Sequence, residues 1–138
     1  PEVEDDKNEA IEVVTPATYY LKNGKHYIVY EEVVEGTSGV IKNRIKINGD
    51  ECVEIVKSGL SNSHMIFEKN KKNQTFYKTP YGQMLIGVNT RHLQVDFEED
   101  KIAVQIDYEL DVNHEPMADC KIRMNIVSKD SGKFSVLS

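Results

Sequence analysis

The clearest pattern along the chain is strict alternation of apolar and polar side chains. In "KIAVQIDYELDV", Ile102, Val104, Ile106, Tyr108, Leu110 and Val112 share one face of an extended chain, while Ala103, Gln105, Asp107, Glu109 and Asp111 share the other. Successive side chains of a strand point to opposite faces, so this run predicts a strand with one dry and one wet side. The same period sets Ile41, Ile45 and Ile47, with Asn43 on the inner side, against Lys42, Arg44 and Lys46. It recurs with Leu93, Val95 and Phe97 against His92, Gln94 and Asp96, and with Ile122, Met124 and Ile126 against Lys121, Arg123 and Asn125. No helical spacing fits these runs.

Turn signals fall between the runs. Asn23-Gly24 separates "ATYYLK" from "KHYIVYEEVV" and supplies the two positive-φ residues of a type I′ hairpin. Asn48-Gly49-Asp50 divides "GVIKNRIKI" from "ECVEIVKS" in the same way, and "EGTSG", "EKNKKNQ" and "NHEP" read as looser turns. About nine strand-like runs recur every 8 to 14 residues or so, the rhythm of an antiparallel barrel or sandwich. Closing such a meander on itself removes its exposed edges. The expectation is therefore one all-β domain over residues 1–138, a single antiparallel meander β-barrel of about eight strands. Gly59, Gly82 and Gly87 lie where a bulge, bend or close backbone approach would need them. In "TFYKTPYGQM", Pro80 and Gly82 shape a bend, with Tyr77, Thr79 and Tyr81 around it. The ends break the pattern: residues 1–10 read as an acidic N-terminal tail and residues 129–138 as a C-terminal tail or edge segment.

Composition narrows the function classes. A chain of 138 residues supports one core. A formal charge of -6 argues against nucleic acid as a partner, because affinity for phosphate backbones depends on cations. No apolar run reaches the length of a membrane-spanning helix, and the acidic start is unlike a signal peptide, which leads to a cytoplasmic protein with no membrane partner. Cys52 and Cys120 are expected as two free thiols, with a bridge between neighbouring strands as the alternative.

Little catalytic chemistry is visible. His26, His64, His92 and His114 are scattered singly without metal-ligand spacing, and neither a phosphate loop nor a nucleophile elbow is present. Glu31-Glu32 and Glu98-Glu99-Asp100 read as solvated charge near turns. Lys69, Lys71, Lys72 and Lys78 beside Phe76 and Tyr77 form a combination that can grip single strands, yet they read more simply as a lysine-rich hairpin tip. Seven tyrosines and no tryptophan are more informative, because Tyr19, Tyr27, Tyr30, Tyr77, Tyr81 and Tyr108 lie in or beside predicted strands. Such residues either fill a core or line a cavity with hydroxyl groups on apolar walls.

Four segments together resemble the YwiB-like family of bacterial proteins: "KNGKHYIVYEE" at residues 22–32, "KSGLSNSHMIFEKN" at 57–70, "YKTPYGQMLIGVNT" at 77–90 and "IDYELDVN" at 106–113. The likeness runs from about Ile11 to Val127 and is most specific at Tyr77, Thr79, Tyr81 and Gly82. It implies a calycin-like, lipocalin-like β-barrel and little about activity. Two departures stand out. Lys57 stands where the family pattern has an arginine, which keeps the charge and loses the bidentate fork. The family also tends to begin with a further strand upstream of Ile11, so the expectation here is an open barrel edge paired by another chain, its replacement by the C-terminal "KFSVLS", or a sequence trimmed before that strand.

The leading expectation is a barrel that binds a small, partly apolar ligand in its interior, with Tyr30, Lys57, Thr79, Tyr81, Thr90 and Tyr108 as candidate ligand-binding residues. Lys57 is the cation expected to pair an acidic ligand. No catalytic residue, metal or cofactor is expected, and the reading leans away from an enzyme. The alternative is a non-enzymatic interaction module that pairs through an open edge, as a monomer with a partner or as an edge-paired homodimer.

Overall fold

The computed structural model describes residues 12–129 and 135–136. The expected acidic tail, residues 1–10, and most of the C-terminal segment lie outside the described residues. Ten antiparallel strands follow one another as a meander: β1 (Thr18–Lys22), β2 (Lys25–Val33), β3 (Val40–Asn48), β4 (Cys52–Gly59), β5 (Ser63–Glu68), β6 (Lys72–Thr79), β7 (Gly82–Glu98), β8 (Lys101–Val112), β9 (Glu115–Val127) and β10 (Ser135–Val136). The all-β reading holds, and sequence neighbours pair antiparallel at every step except from β5 to β6.

Among the described residues a single closed sheet does not form. β1 to β5 make one five-stranded sheet and β6 to β10 a second. The division falls at the turn after Glu68. Asn70 there has φ 58, and the Lys71 N–H donates to the Glu68 carbonyl at 3.0 Å. The next carbonyl, that of Lys71, accepts from the Thr90 N–H of β7 at 3.0 Å. The chain leaving the turn is thus captured by β7, and β6 ladders with β7 from Lys72 opposite Asn89 to Thr79 opposite Gly82. At the other side, β10 pairs with β9 through Ser135 and Val136 and comes near β1 without a ladder to it.

The alternation places the core where the pattern predicts. Ile28, Ile45, Ile47, Val53 and Phe67 of the first sheet meet Val88, Leu93, Val95, Ile102, Val104, Ile106, Met124 and Ile126 of the second. All are at most 8 % exposed, so the middle of the molecule is filled with side chains. Phe97 is the exception to its run, at 44 % exposed beside the His26 ring.

The turns follow their residues. Asn23 and Gly24 have φ 51 and 76, the paired positive values of the expected I′ turn. "NHEP" is tighter than expected: Asn113 and His114 both have positive φ, and Val112 pairs directly with Glu115. Two irregularities reset the phase. β7 carries one extra residue between Thr90 and His92 against β8, and β9 carries one between Pro116 and Ala118. The expected wet position Asp111 is only 6 % exposed. It faces Gly87, where a Cβ would meet the Lys72 stem at 3.0 Å and the Asp111 Cβ at 3.3 Å. The missing side chain lets Lys72 lie across the strand and reach Asp111 at 2.5 Å.

Candidate functional site

A meander places its turns alternately at two ends. The β2–β3, β4–β5, β6–β7 and β8–β9 turns share the upper end. Near it, Tyr30, Asn43, Lys57 and Ser63 form one cross-strand row on β2, β3, β4 and β5. They lie on the inner face, because Tyr30 is two residues from Ile28, Asn43 two from Ile45, and Lys57 four from Val53. Glu32 stands one row higher on the same face of β2.

These side chains are tied together. The Asn43 Nδ2 donates to the Glu32 Oε1 at 2.7 Å, and the Lys57 Nζ donates to the same oxygen at 3.0 Å and to the Asn43 Oδ1 at 2.7 Å. Asn43 is fully buried, whereas the Lys57 and Glu32 side chains keep 35 % and 36 % of their surface in water. The Asn43 hydrogen bond first, and then the Lys57 ammonium, hold the Glu32 carboxyl below its ordinary range against the opposing effect of burial. Tyr30 packs against the core, and burial, with a smaller contribution from the Glu32 charge, pushes its phenol up.

The candidates split between places. Tyr30 and Lys57 meet in this row. Thr90 and Tyr108 are cross-strand partners at the centre of the second sheet, where Tyr108 sets its ring edge-on to Phe67 at 4.8 Å. Burial, and then Cys120 opposite it on β9, push the Tyr108 phenol up. Tyr81 is 99 % exposed, so it is no wall of the interior: the Pro80–Gly82 bend, with Gly82 at φ 125, carries it outward. Thr79 closes β6 opposite Gly82, and the role expected of its side chain lies outside the described residues. Lys57 also departs from its expected role, since its ammonium is already held by Glu32 and Asn43.

Two members of the network were not among the candidates. Glu32 reads in sequence as solvated charge beside Glu31. Asn43 does carry a signal, being the one polar residue in the inner run Ile41, Asn43, Ile45 and Ile47.

The remaining chemistry is sparse. Among the described residues no group of three or more His, Cys, Asp and Glu could hold a metal ion, and no helix is long and apolar enough to cross a membrane. Cys52 and Cys120 are free thiols in different sheets. His64 is half exposed on the outer face of β5 and bonds Glu54. In the basic turn, Lys71 and Lys72 are paired with Glu68 and Asp111.

The fold and this site define a class: a β-meander of two facing sheets with a small, charge-neutral polar network on its inner face. The chain belongs to the family described as "Domain of unknown function (DUF1934)", whose model matches residues 2–124. It is 32 % identical over 114 residues to the "Uncharacterized beta-barrel protein YwiB" of Bacillus subtilis (strain 168), covering 82 % of this chain and 78 % of that protein. The crystal structure of the ywiB protein from Bacillus subtilis superposes with a TM-score of 0.67 at 26 % identity, over 87 % of this chain and 82 % of that one. The resemblance read from the four segments is therefore correct.

Proposed function

We propose that the protein is a calycin-like, non-catalytic binding module of the cytoplasm that takes a small, partly apolar molecule at the upper end of its interior. The observation that carries this reading is Asn43, fully buried on an otherwise aliphatic inner row and bonded to both Lys57 and Glu32. Burying the Asn43 carboxamide costs desolvation that an apolar residue of similar size avoids, so its presence on this row supports a role beyond stability. The Lys57 and Glu32 charges cancel, which suits a ligand whose polar end both donates and accepts hydrogen bonds without net charge. Its apolar part would lie against Tyr30 and Ile55, the half-buried side chains packed on the edge of the core. The free thiols fit a reducing compartment.

Native mass spectrometry of protein purified gently from its host tests the reading. A one-to-one small-molecule adduct is expected, lost or weakened at least about ten-fold in Lys57→Met, which corresponds to about 1.4 kcal/mol. A bare mass for the unsubstituted protein overturns it.

A second reading, an interaction module that pairs through an open edge, draws on β5 and β6, each of which ladders on one side only.

A further inference from the structure

Where the two sheets part between β5 and β6, a slot of about 160 Å³ opens. Its walls are His64, Met65 and Ile66 on one side and Asn73, Gln74 and Thr75 on the other, with Val88 of β7 at the base. Three consecutive residues of a strand point to alternating faces, so what each strand presents along its whole length here is its backbone edge. The opposite edges of both strands are already used, β5 against β4 and β6 against β7. The slot is thus bordered by N–H and C=O groups outside any ladder, above an apolar base.

The polar atoms beside it point the same way. The Asn73 Nδ2 is buried with no hydrogen-bond partner among the described residues. Thr90, 1 % exposed and two residues from Val88 on the same face, has its Oγ1 in the same condition. Buried polar atoms without partners are uncommon in native proteins, and Asn73 borders the slot, so a turn of its carboxamide brings the unpartnered donor to an acceptor placed there. Among the described residues no lysine, arginine, aspartate or glutamate lines the slot, and the His64 ring is engaged by Glu54. A charged ligand would lose its hydration there without a counter-ion. The volume is that of a single six-membered ring, close to the roughly 150 Å³ cavity that holds benzene.

We infer that this seam is a binding slot for a small neutral molecule bearing a secondary amide, such as a lactam. The carbonyl accepts from the Asn73 Nδ2 and an edge N–H, the amide N–H donates to an edge carbonyl, and the ring lies on Met65 and Val88. Tyr30, Glu32, Asn43 and Lys57 do not line the slot, so it stands or falls apart from the upper-end site.

The test is an NMR titration of the nitrogen-15-labelled protein with 2-piperidone, with tetrahydropyran and acetate as controls. Saturable shifts are expected at the Asn73 side-chain amide and at backbone amides of β5 and β6, in the millimolar range that about seven heavy atoms can reach. Tetrahydropyran is expected to bind at least ten-fold more weakly and acetate not at all. Asn73→Leu, which keeps the shape and removes the orphan donor, is expected to raise the urea midpoint while abolishing the lactam shifts. Thr75→Ile, which narrows the slot without touching that donor, is expected to weaken them. Absence of saturable shifts in the unsubstituted protein, equal shifts with acetate, or undiminished binding in either folded variant overturns the proposal.

Discussion

Asn43 shows how a single residue can mark a site. On an inner row its amide has two jobs, donating to Glu32 through Nδ2 and accepting from Lys57 through Oδ1, which a carboxamide does with two separate atoms. The network has a pH signature whose direction follows from Glu32. Its carboxyl is held below the ordinary value of 4.5, so the stabilisation it gives is fully present above that value and is lost as pH falls through the folded one. Because more than a third of the side chain is in water, screening keeps this contribution below about 1 kcal/mol. Urea midpoints measured from pH 6 to pH 3 should therefore fall more steeply for the unsubstituted protein than for Glu32→Gln, and parallel curves would remove Glu32 from the network. Asn43 was legible because it interrupts a clean aliphatic alternation. Glu32 was not, because β2 offers two plausible inner sets: His26, Ile28, Tyr30 and Glu32, or Tyr27, Val29, Glu31 and Val33. Each mixes apolar and polar residues, and only pairing with β3 selects the first.

At the scale of elements, the period predicted strands and the irregularities decided what they expose. The alternation through β8 is correct as far as Leu110, yet Asp111 on the wet side is buried because Gly87 opposite it has no side chain and Lys72 crosses the gap. Sequence marked Gly87 as unusual without saying which neighbour would use the space. Gly59 makes a sharper case. Its φ is 108, and a Cβ there would come within 2.5 Å of the Val40 carbonyl oxygen of β3. Gly24 also has positive φ, at 76, but nothing lies within 4 Å of its Cβ position. Gly59→Ala is accordingly expected to cost about 2–4 kcal/mol, strain plus a backbone clash, while Gly24→Ala costs only the strain, about 1–2 kcal/mol. Chemical denaturation of the two variants measures the difference, and equal costs would mean that β3 and β4 do not approach as closely as described.

Across the whole molecule, a meander of amphipathic strands rids itself of edges by curling into a barrel, and on that ground the sequence predicts closure. Closure also depends on the geometry of individual turns. Here the Lys71 carbonyl bonds Thr90 of β7, so β6 sets out along β7 and the β5–β6 seam stays without a ladder. The core does not need the seam closed, since the aliphatic rows of the two sheets face each other across the middle. Amide hydrogen exchange reads this arrangement directly. β3 and β8 have ladders on both sides, so nearly every amide along them should be slow. β5 and β6 should instead show protection at alternate residues, because an antiparallel strand paired on one side leaves every second N–H outside the ladder. Unbroken protection along both strands would mean that the seam zips shut in solution, a closed barrel forms after all, and the slot between the sheets is lost with it.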